Sequence, residues 1–153
     1  RMGHFQGVLA VVSRFLHNIK AKYIFLGEKD FQQTYLIKKY LEKKFNTKVI
    51  VCRTIRNKRG LPLSSRNLLL SNIDLRKSEE ISKLVFIFKK AILKNYTNIK
   101  LRDFYKNKIA KLCDKIEYFE IRNSKNLSKN ITKKNFKIFI AYIQNNVRLI
   151  DNV

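Results

Sequence analysis

The sequence contains no apolar run approaching the roughly 18 to 20 residues that a membrane-spanning helix requires, and its first residues do not resemble a secretory signal. A soluble, cytoplasmic protein is the expectation. Cysteine is scarce: Cys52 and Cys113 stand singly inside apolar patterns, with neither a CxxC pair nor the Cys/His spacing of a zinc site. Both are expected to be buried free thiols. His4 and His17 are the only histidines and neither has a second ligand close in sequence, so no metal site is expected from side chains. With only four glycines, the chain carries neither a GxxxxGK[ST] loop nor GxGxxG, which excludes the P-loop and the dinucleotide fingerprint.

Acidic residues are also few, 11 against 34 Lys plus Arg, for a net charge of +23. Such a chain adheres to polyanions at low salt. The lysines are nevertheless dispersed through every segment, with no compact basic run and no aromatic-basic signature. A basic RNA- or polyanion-binding module is therefore kept as the alternative to a solvated, lysine-rich surface, and specific nucleic-acid binding is not expected. What the sequence does contain is 153 residues with 45% hydrophobic content, enough for a proper core in one domain or two small ones.

From Phe5 to Ile19 the positions Phe5, Val8, Leu9, Val12, Phe15, Leu16 and Ile19 recur at helical spacing and predict an amphipathic helix. Tyr23 to Leu26 reads as a short buried strand, with Gly27 freeing the backbone for a sharp turn. Asp30 and Gln33 have capping-box spacing before a helix over 31–45, whose inner face would carry Tyr35 or Leu36 with Ile37, Leu41 and Phe45. Residues 48–55, with the continuous apolar run Val49-Ile50-Val51-Cys52, read as a strand of a parallel sheet covered by helices on both faces. Together they form a βαβ unit. Arg56 to Gly60 is a basic turn, and Leu61-Pro62-Leu63 leads in extended geometry to Ser64-Ser65-Arg66-Asn67.

After Leu70 the pattern changes, and a domain boundary is placed there. Ser71-Asn72-Ile73-Asp74 matches a helix start, followed by the stripe Ile81, Leu84, Val85, Phe88 and Ile92. A second helix over 101–112 would turn Leu101, Phe104, Tyr105 and Ile109 inward. Strands over 116–121, 136–143 and 147–150 complete a small, mainly antiparallel sheet, the last two joined through Asn145-Asn146, which tolerate the positive φ of a tight hairpin. The fold class is α/β, with domains 1–70 and 71–153, the second α+β.

Two clusters carry the chemistry. A strand followed by Gly27, Lys29 and a helix N-terminus suits a phosphate, because the first backbone N–H groups are unpaired and the helix dipole favours negative charge. Ser64, Ser65 and Arg66 add hydroxyl donors and a planar guanidinium suited to phosphate oxygens. Taken singly, each is ambiguous: Lys29 reads equally as a surface lysine, and Ser64-Ser65 as a turn before a helix.

Together, Gly27-Glu28-Lys29-Asp30-Phe31-Gln32-Gln33 and Gly60-Leu61-Pro62-Leu63-Ser64-Ser65-Arg66-Asn67 closely resemble the pantoate–β-alanine ligase family. The opening Arg1-Met2-Gly3-His4-Phe5 is similar to that family's Arg-Pro-Gly-His-Phe, with Met2 departing from Pro, and Tyr118 to Arg122 and Arg148 to Asn152 resemble its C-terminal strands. The resemblance implies the C-terminal part of a Rossmann-like nucleotide-binding domain followed by an α+β lid domain. It also implies a missing N-terminal half with the H-x-G-H motif, consistent with a start at Arg1 instead of Met. Implied too are an ATP-dependent ligation through a pantoyl adenylate, Mg2+ entering with ATP, pantoate and β-alanine as partners, and a homodimer when complete. By motif, Gly27, Glu28, Lys29, Asp30, Ile55, Leu63, Ser64, Ser65 and Arg66 would line the ATP site. Lys29, Ser64, Ser65 and Arg66 would act on the phosphates, Asp30 near the ribose, Ile55 on adenine and Gln33 on pantoate. Arg1 and His4 would approach the substrate pocket. Another adenylyltransferase of the same superfamily is the remaining alternative; Gln33 at the acid-binding position favours pantoate.

Overall fold

The computed structural model describes residues 3–153; Arg1 and Met2, part of the motif above, lie outside the described residues. Contacts divide the chain into two compact units, one ending at Thr54 and one spanning Ile55–Val153. No helix among the described residues is long and apolar enough to cross a membrane.

In the first unit, α1 (His4–Ile19) is followed by β1 (Tyr23–Gly27), α2 (Phe31–Leu41) and β2 (Lys48–Cys52). The strands pair in parallel from Tyr23↔Lys48 to Gly27↔Cys52. Leu16, Ile37, Leu41 and Val49 form the core, with Val8, Leu9, Val12, Ile24, Leu26 and Phe45 against it. The helical periodicity in α1 and α2 is thus realised, and α2 ends four residues before Phe45, in a turn closed by Asn46 at positive φ. β2 stops at Cys52 instead of residue 55.

Covering helices on both faces of the sheet are not found. Parallel register places Tyr23, Phe25 and Gly27 on one face with Lys48, Ile50 and Cys52. Phe25 on that face is 68% exposed, whereas both helices pack with Ile24, Leu26 and Val49 of the other. The continuous apolar run is that of a strand buried on two sides, of which this unit supplies one. For the same reason Cys52 is exposed; Cys113, in the second unit, is only partly buried, so neither is the buried thiol expected. Phe15 and Ile19 likewise leave α1 at 59% and 68% exposure.

In the second unit, α3 (Asn72–Lys94) and α4 (Arg102–Ala110) accompany an antiparallel sheet of order β3-β4-β5, from Lys115–Asn123, Phe136–Gln144 and Val147–Asn152. Ile81, Val85, Phe88 and Ile92 recur along one stripe of α3 and are buried with Ile109, Phe119, Ile138, Ile140 and Tyr142. Phe88 stacks on Tyr105 at 4.8 Å between ring centroids. Leu101 and Phe104, expected inward, are exposed, because α4 begins at Arg102 and turns Tyr105 and Ile109 to the core. Asn145 and Asn146 adopt φ of 48° and 61°, the mirror-image turn that matches strand twist.

The start of α3 forms as its sequence dictates: Ser71 Oγ accepts from Asp74 N and donates to Asp74 Oδ2 at 2.7 Å. Gln144 Nε2 donates to Asp74 Oδ1 at 2.9 Å, joining the helix start to the end of β4. These bonds, from Ser71 foremost and then Gln144, hold the Asp74 carboxyl below its ordinary value of 3.8. A depressed folded pKa gives stability that is present above the unfolded value and lost as pH falls through the folded one. Asp74→Asn is therefore expected to unfold at lower urea concentration than wild type at pH 7, with the gap closing as pH falls below 3.8. An unchanged gap in denaturation at pH 7 and pH 3 would show that the charge on Asp74 does not matter.

Candidate functional site

The segment Gly27 to Gln33 leaves the C-terminal end of β1, continues as a single 3-10 turn over Glu28–Asp30, and enters α2 at Phe31. Gly27 has φ −71°, a conformation open to any residue, and a Cβ there would meet no atom within 4 Å. The backbone turn expected of this glycine is not the reason for it; a bare backbone at this point leaves room for a group approaching from outside. Its carbonyl accepts from Thr34 Oγ1 at 3.2 Å, which ties strand end to helix start.

The capping box expected from Asp30 and Gln33 does not form. Asp30 occupies the N-cap with φ −93° and ψ 53° and makes no side-chain cap hydrogen bond. The 3-10 turn Glu28–Asp30 instead leads directly into the first turn of α2. Gln33 is half-buried and its amide makes no hydrogen bond among the described residues, so capping does not compete for it. Glu28 and Lys29 are half-buried and each is engaged by a neighbouring group; Asp30 is exposed.

The second segment is a small hairpin in the unit beginning at Ile55. Arg56 bridges Pro62 in antiparallel fashion, Leu63 N donates to Ile55 O at 2.9 Å, and Asn57 N donates to Leu61 O at 2.9 Å. Asn57 Oδ1 accepts from Arg59 N and Leu61 N, both at 3.0 Å, and Gly60 closes the turn at φ 90°, where a side chain would be strained. Ile55 and Leu63 are thereby brought side by side, 72% and 54% exposed. Two unburied aliphatic side chains held together on a hairpin form a surface that suits a flat aromatic ring.

Ser64 follows in extended geometry and its Oγ accepts from Arg66 N at 3.3 Å, capping a 3-10 turn over Ser65–Leu69. The structural reading of Ser64 is therefore realised, while Ser65 stands exposed beyond it. Arg66 is exposed; its guanidinium reaches Arg148 O at 3.5 Å, the outer limit of a hydrogen bond. Asn67 Nδ2 fastens the turn back to Pro62 O at 3.0 Å. Gly27, Glu28, Lys29, Asp30 and Gln33 thus occupy one continuous turn in the first unit, and Ile55, Leu63, Ser64, Ser65 and Arg66 one continuous hairpin in the second.

The residue that sequence reasoning missed is Arg56, read above only as the start of a basic turn. Its NH1 and NH2 donate to Asp151 Oδ2 and Oδ1, both at 2.8 Å, and also to Gly60 O at 2.9 Å and Asn152 O at 3.0 Å. The guanidinium carbon lies 4.8 Å from the centre of the Phe86 ring. The available signal was Asp151 directly after the apolar pair Leu149-Ile150 in the strand Val147–Asn152, a carboxylate that needs a cation partner if it is buried. Among the described residues, no group of three or more His, Cys, Asp or Glu side chains is placed to hold a metal ion.

Comparison with known proteins gives this arrangement a family. The model of the pantoate-beta-alanine ligase family matches residues 1–153. Pantothenate synthetases of Francisella tularensis subsp. mediasiatica (strain FSC147) and subsp. novicida (strain U112) are each 39% identical over 153 residues, 99% of this chain and 51% of theirs. The crystal structure of pantothenate synthetase from Thermus thermophilus aligns with a TM-score of 0.85 at 25% identity, covering 100% of this chain and 56% of that one. Pantoate-beta-alanine ligase from Francisella tularensis, complexed with beta-gamma ATP and beta-alanine, aligns with a TM-score of 0.75 at 36% identity, covering 100% and 51%. The chain spans about half the length of these relatives and corresponds to their C-terminal half. With the family model matched from end to end and the fold shared, the chain belongs to the pantoate–β-alanine ligase family.

Proposed function

We propose that this chain is the C-terminal part of an enzyme that ligates pantoate and β-alanine to pantothenate at the expense of ATP. The observation that carries the reading is the strand-to-helix turn from Gly27 to Gln33, in which Asp30 makes no side-chain cap hydrogen bond, in a chain matched to the family throughout. The relative complexed with beta-gamma ATP and beta-alanine supports the choice of ligands. Residues 1–70 serve ATP and pantoate, and residues 71–153 form the lid.

The chemistry asks for no protein nucleophile. The pantoate carboxylate attacks the α-phosphorus of ATP, the bond to the bridging oxygen breaks, and pyrophosphate departs, leaving pantoyl adenylate. The β-alanine amine then attacks the acyl carbon and expels AMP, losing a proton as the amide forms. Catalysis rests on placing the reacting groups and on positive charge where the leaving group gathers negative charge. The helix start behind Gly27 and the Lys29 ammonium supply that charge, and Ser65 and Arg66 supply hydrogen bonds to phosphate oxygens. Asp30 binds the ribose, Gln33 holds pantoate, and Ile55 and Leu63 flank the adenine. Mg2+ enters with the nucleotide and screens its phosphates. A chain without a carboxylate cluster of its own fits an ion bound mainly through phosphate and water oxygens.

The complete enzyme is a cytoplasmic homodimer, and the present chain alone turns over little or not at all. The exposed face of β1 and β2 and the exposed side of α1 favour the same conclusion, since they are apolar surface that a complete domain would cover. Joined to an upstream half bearing H-x-G-H, the chain is expected to form AMP only when ATP, pantoate and β-alanine are all present; absence of AMP under those conditions sinks the assignment. In that enzyme Lys29→Ala should slow adenylation by about a hundredfold, the scale of one preorganised electrostatic contact. Pre-steady-state pyrophosphate release measures it, and a near-normal rate removes Lys29 from the mechanism.

A further inference from the structure

The hairpin over residues 55–63 has little to hold it by burial: Leu61 and Pro62 are buried, while Ile55, Lys58, Arg59 and Leu63 are exposed. What anchors it is a polar latch. Arg56 spends four of its five N–H donors on Asp151, Gly60 O and Asn152 O, and its planar face lies on Phe86. Asp151 is 3% exposed and Arg56 18%, so the pair is shielded from water. At the other end of the turn, Asn57 Nδ2 and Arg59 NH1 donate to Glu79 of α3 at 2.8 and 3.3 Å. Arg56 neighbours Ile55 and bridges Pro62, which neighbours Leu63. Any tilt of the guanidinium therefore moves both exposed aliphatic side chains, and with them Ser64 to Arg66.

We propose that Arg56 and Asp151 are positioning residues for the nucleotide-binding hairpin, fixing where Ile55, Leu63 and the Ser64–Arg66 turn present themselves without touching the ligand. The functional part rests on the ligase reading above; the mechanical part does not. The fork geometry is essential to it, because a lysine reaches one carboxylate oxygen but cannot also hold Gly60 O and Asn152 O in one plane. Charge alone should not restore the placement.

Amide hydrogen exchange on the 153-residue chain tests the latch, with Asp151→Asn and Arg56→Lys as conservative variants and Arg122→Gln, on the more exposed Arg122–Glu120 pair, as the control. The expected result is at least tenfold faster exchange at the amides of Asn57, Gly60, Leu61 and Leu63 in both latch variants. Core amides such as Phe88, Ile109 and Ile140 should stay within threefold of wild type, and the control should change neither group. Unchanged hairpin exchange overturns the proposal, and so does equal acceleration of hairpin and core, which marks a pair that merely stabilises the unit. Titration with MgATP supplies the functional arm. At least tenfold weaker binding in both latch variants, with no rescue in Arg56→Lys, supports positioning, and wild-type affinity in either variant overturns it. This titration is made on the enzyme joined to its upstream half; if that wild-type enzyme binds no MgATP, it is the ligase reading of the hairpin that fails, and the exchange result alone decides whether the latch holds it.

Discussion

A buried arginine–aspartate pair joins two positions that are 95 residues apart in sequence, and the hairpin on which half of the candidate site is built depends on it. Removing one partner of such a pair leaves the other charge without compensation in a place shielded from water. A short hairpin with two buried residues has no comparable source of stability in hydrophobic contact. The arrangement reconciles two needs. Ile55 and Leu63 are exposed, as the proposed adenine contact needs, and the holding force comes from Arg56, hydrogen-bonded into the unit.

The first unit answers a different constraint. A two-stranded sheet is marginal by itself, and here only one of its faces is packed, by both α1 and α2 through Leu16, Ile37, Leu41 and Val49. The other presents Phe25 and Tyr23 outward. What this half-covered sheet does provide is a sharply defined strand end. Gly27 closes β1, Thr34 reaches back to its carbonyl, and α2 starts without a side-chain cap. An anion placed there would complete the helix start in the role a capping residue normally fills.

Element types were legible in the sequence wherever periodicity was long. The stripe from Ile81 to Ile92, the capping residues Ser71 and Asp74 and the Asn145-Asn146 turn appear as the pattern dictates, because each is set by local geometry. The family was legible through the resemblance of the two motifs, and the structure adds that Ile55 and Leu63 are hydrogen-bonded neighbours. Three features were not legible. The Asp30–Gln33 spacing satisfied a capping box that the backbone at Asp30 does not adopt. The apolar run of β2 spoke for two covered faces, because a strand's composition records the environment it is built for and not the layers present in one unit. Arg56 looked like one more surface charge among 34 cations, and only the fold supplies its distant carboxylate partner.

In the proposed reading Lys29, in the turn before α2, is the charge on which the chemistry turns. It is tested most directly by an ATP analogue whose terminal phosphate carries a reactive acyl group, transferred to whichever lysine amine lies beside the bound phosphates. In the enzyme joined to its upstream half, peptide mapping should place the acyl group on Lys29, with the label displaced by excess ATP while the many surface lysines react weakly and without competition. Labelling spread evenly over the lysines and indifferent to ATP, or an ATP-sensitive label on a lysine remote from the β1–α2 turn, would contradict the assignment of this turn to the phosphates.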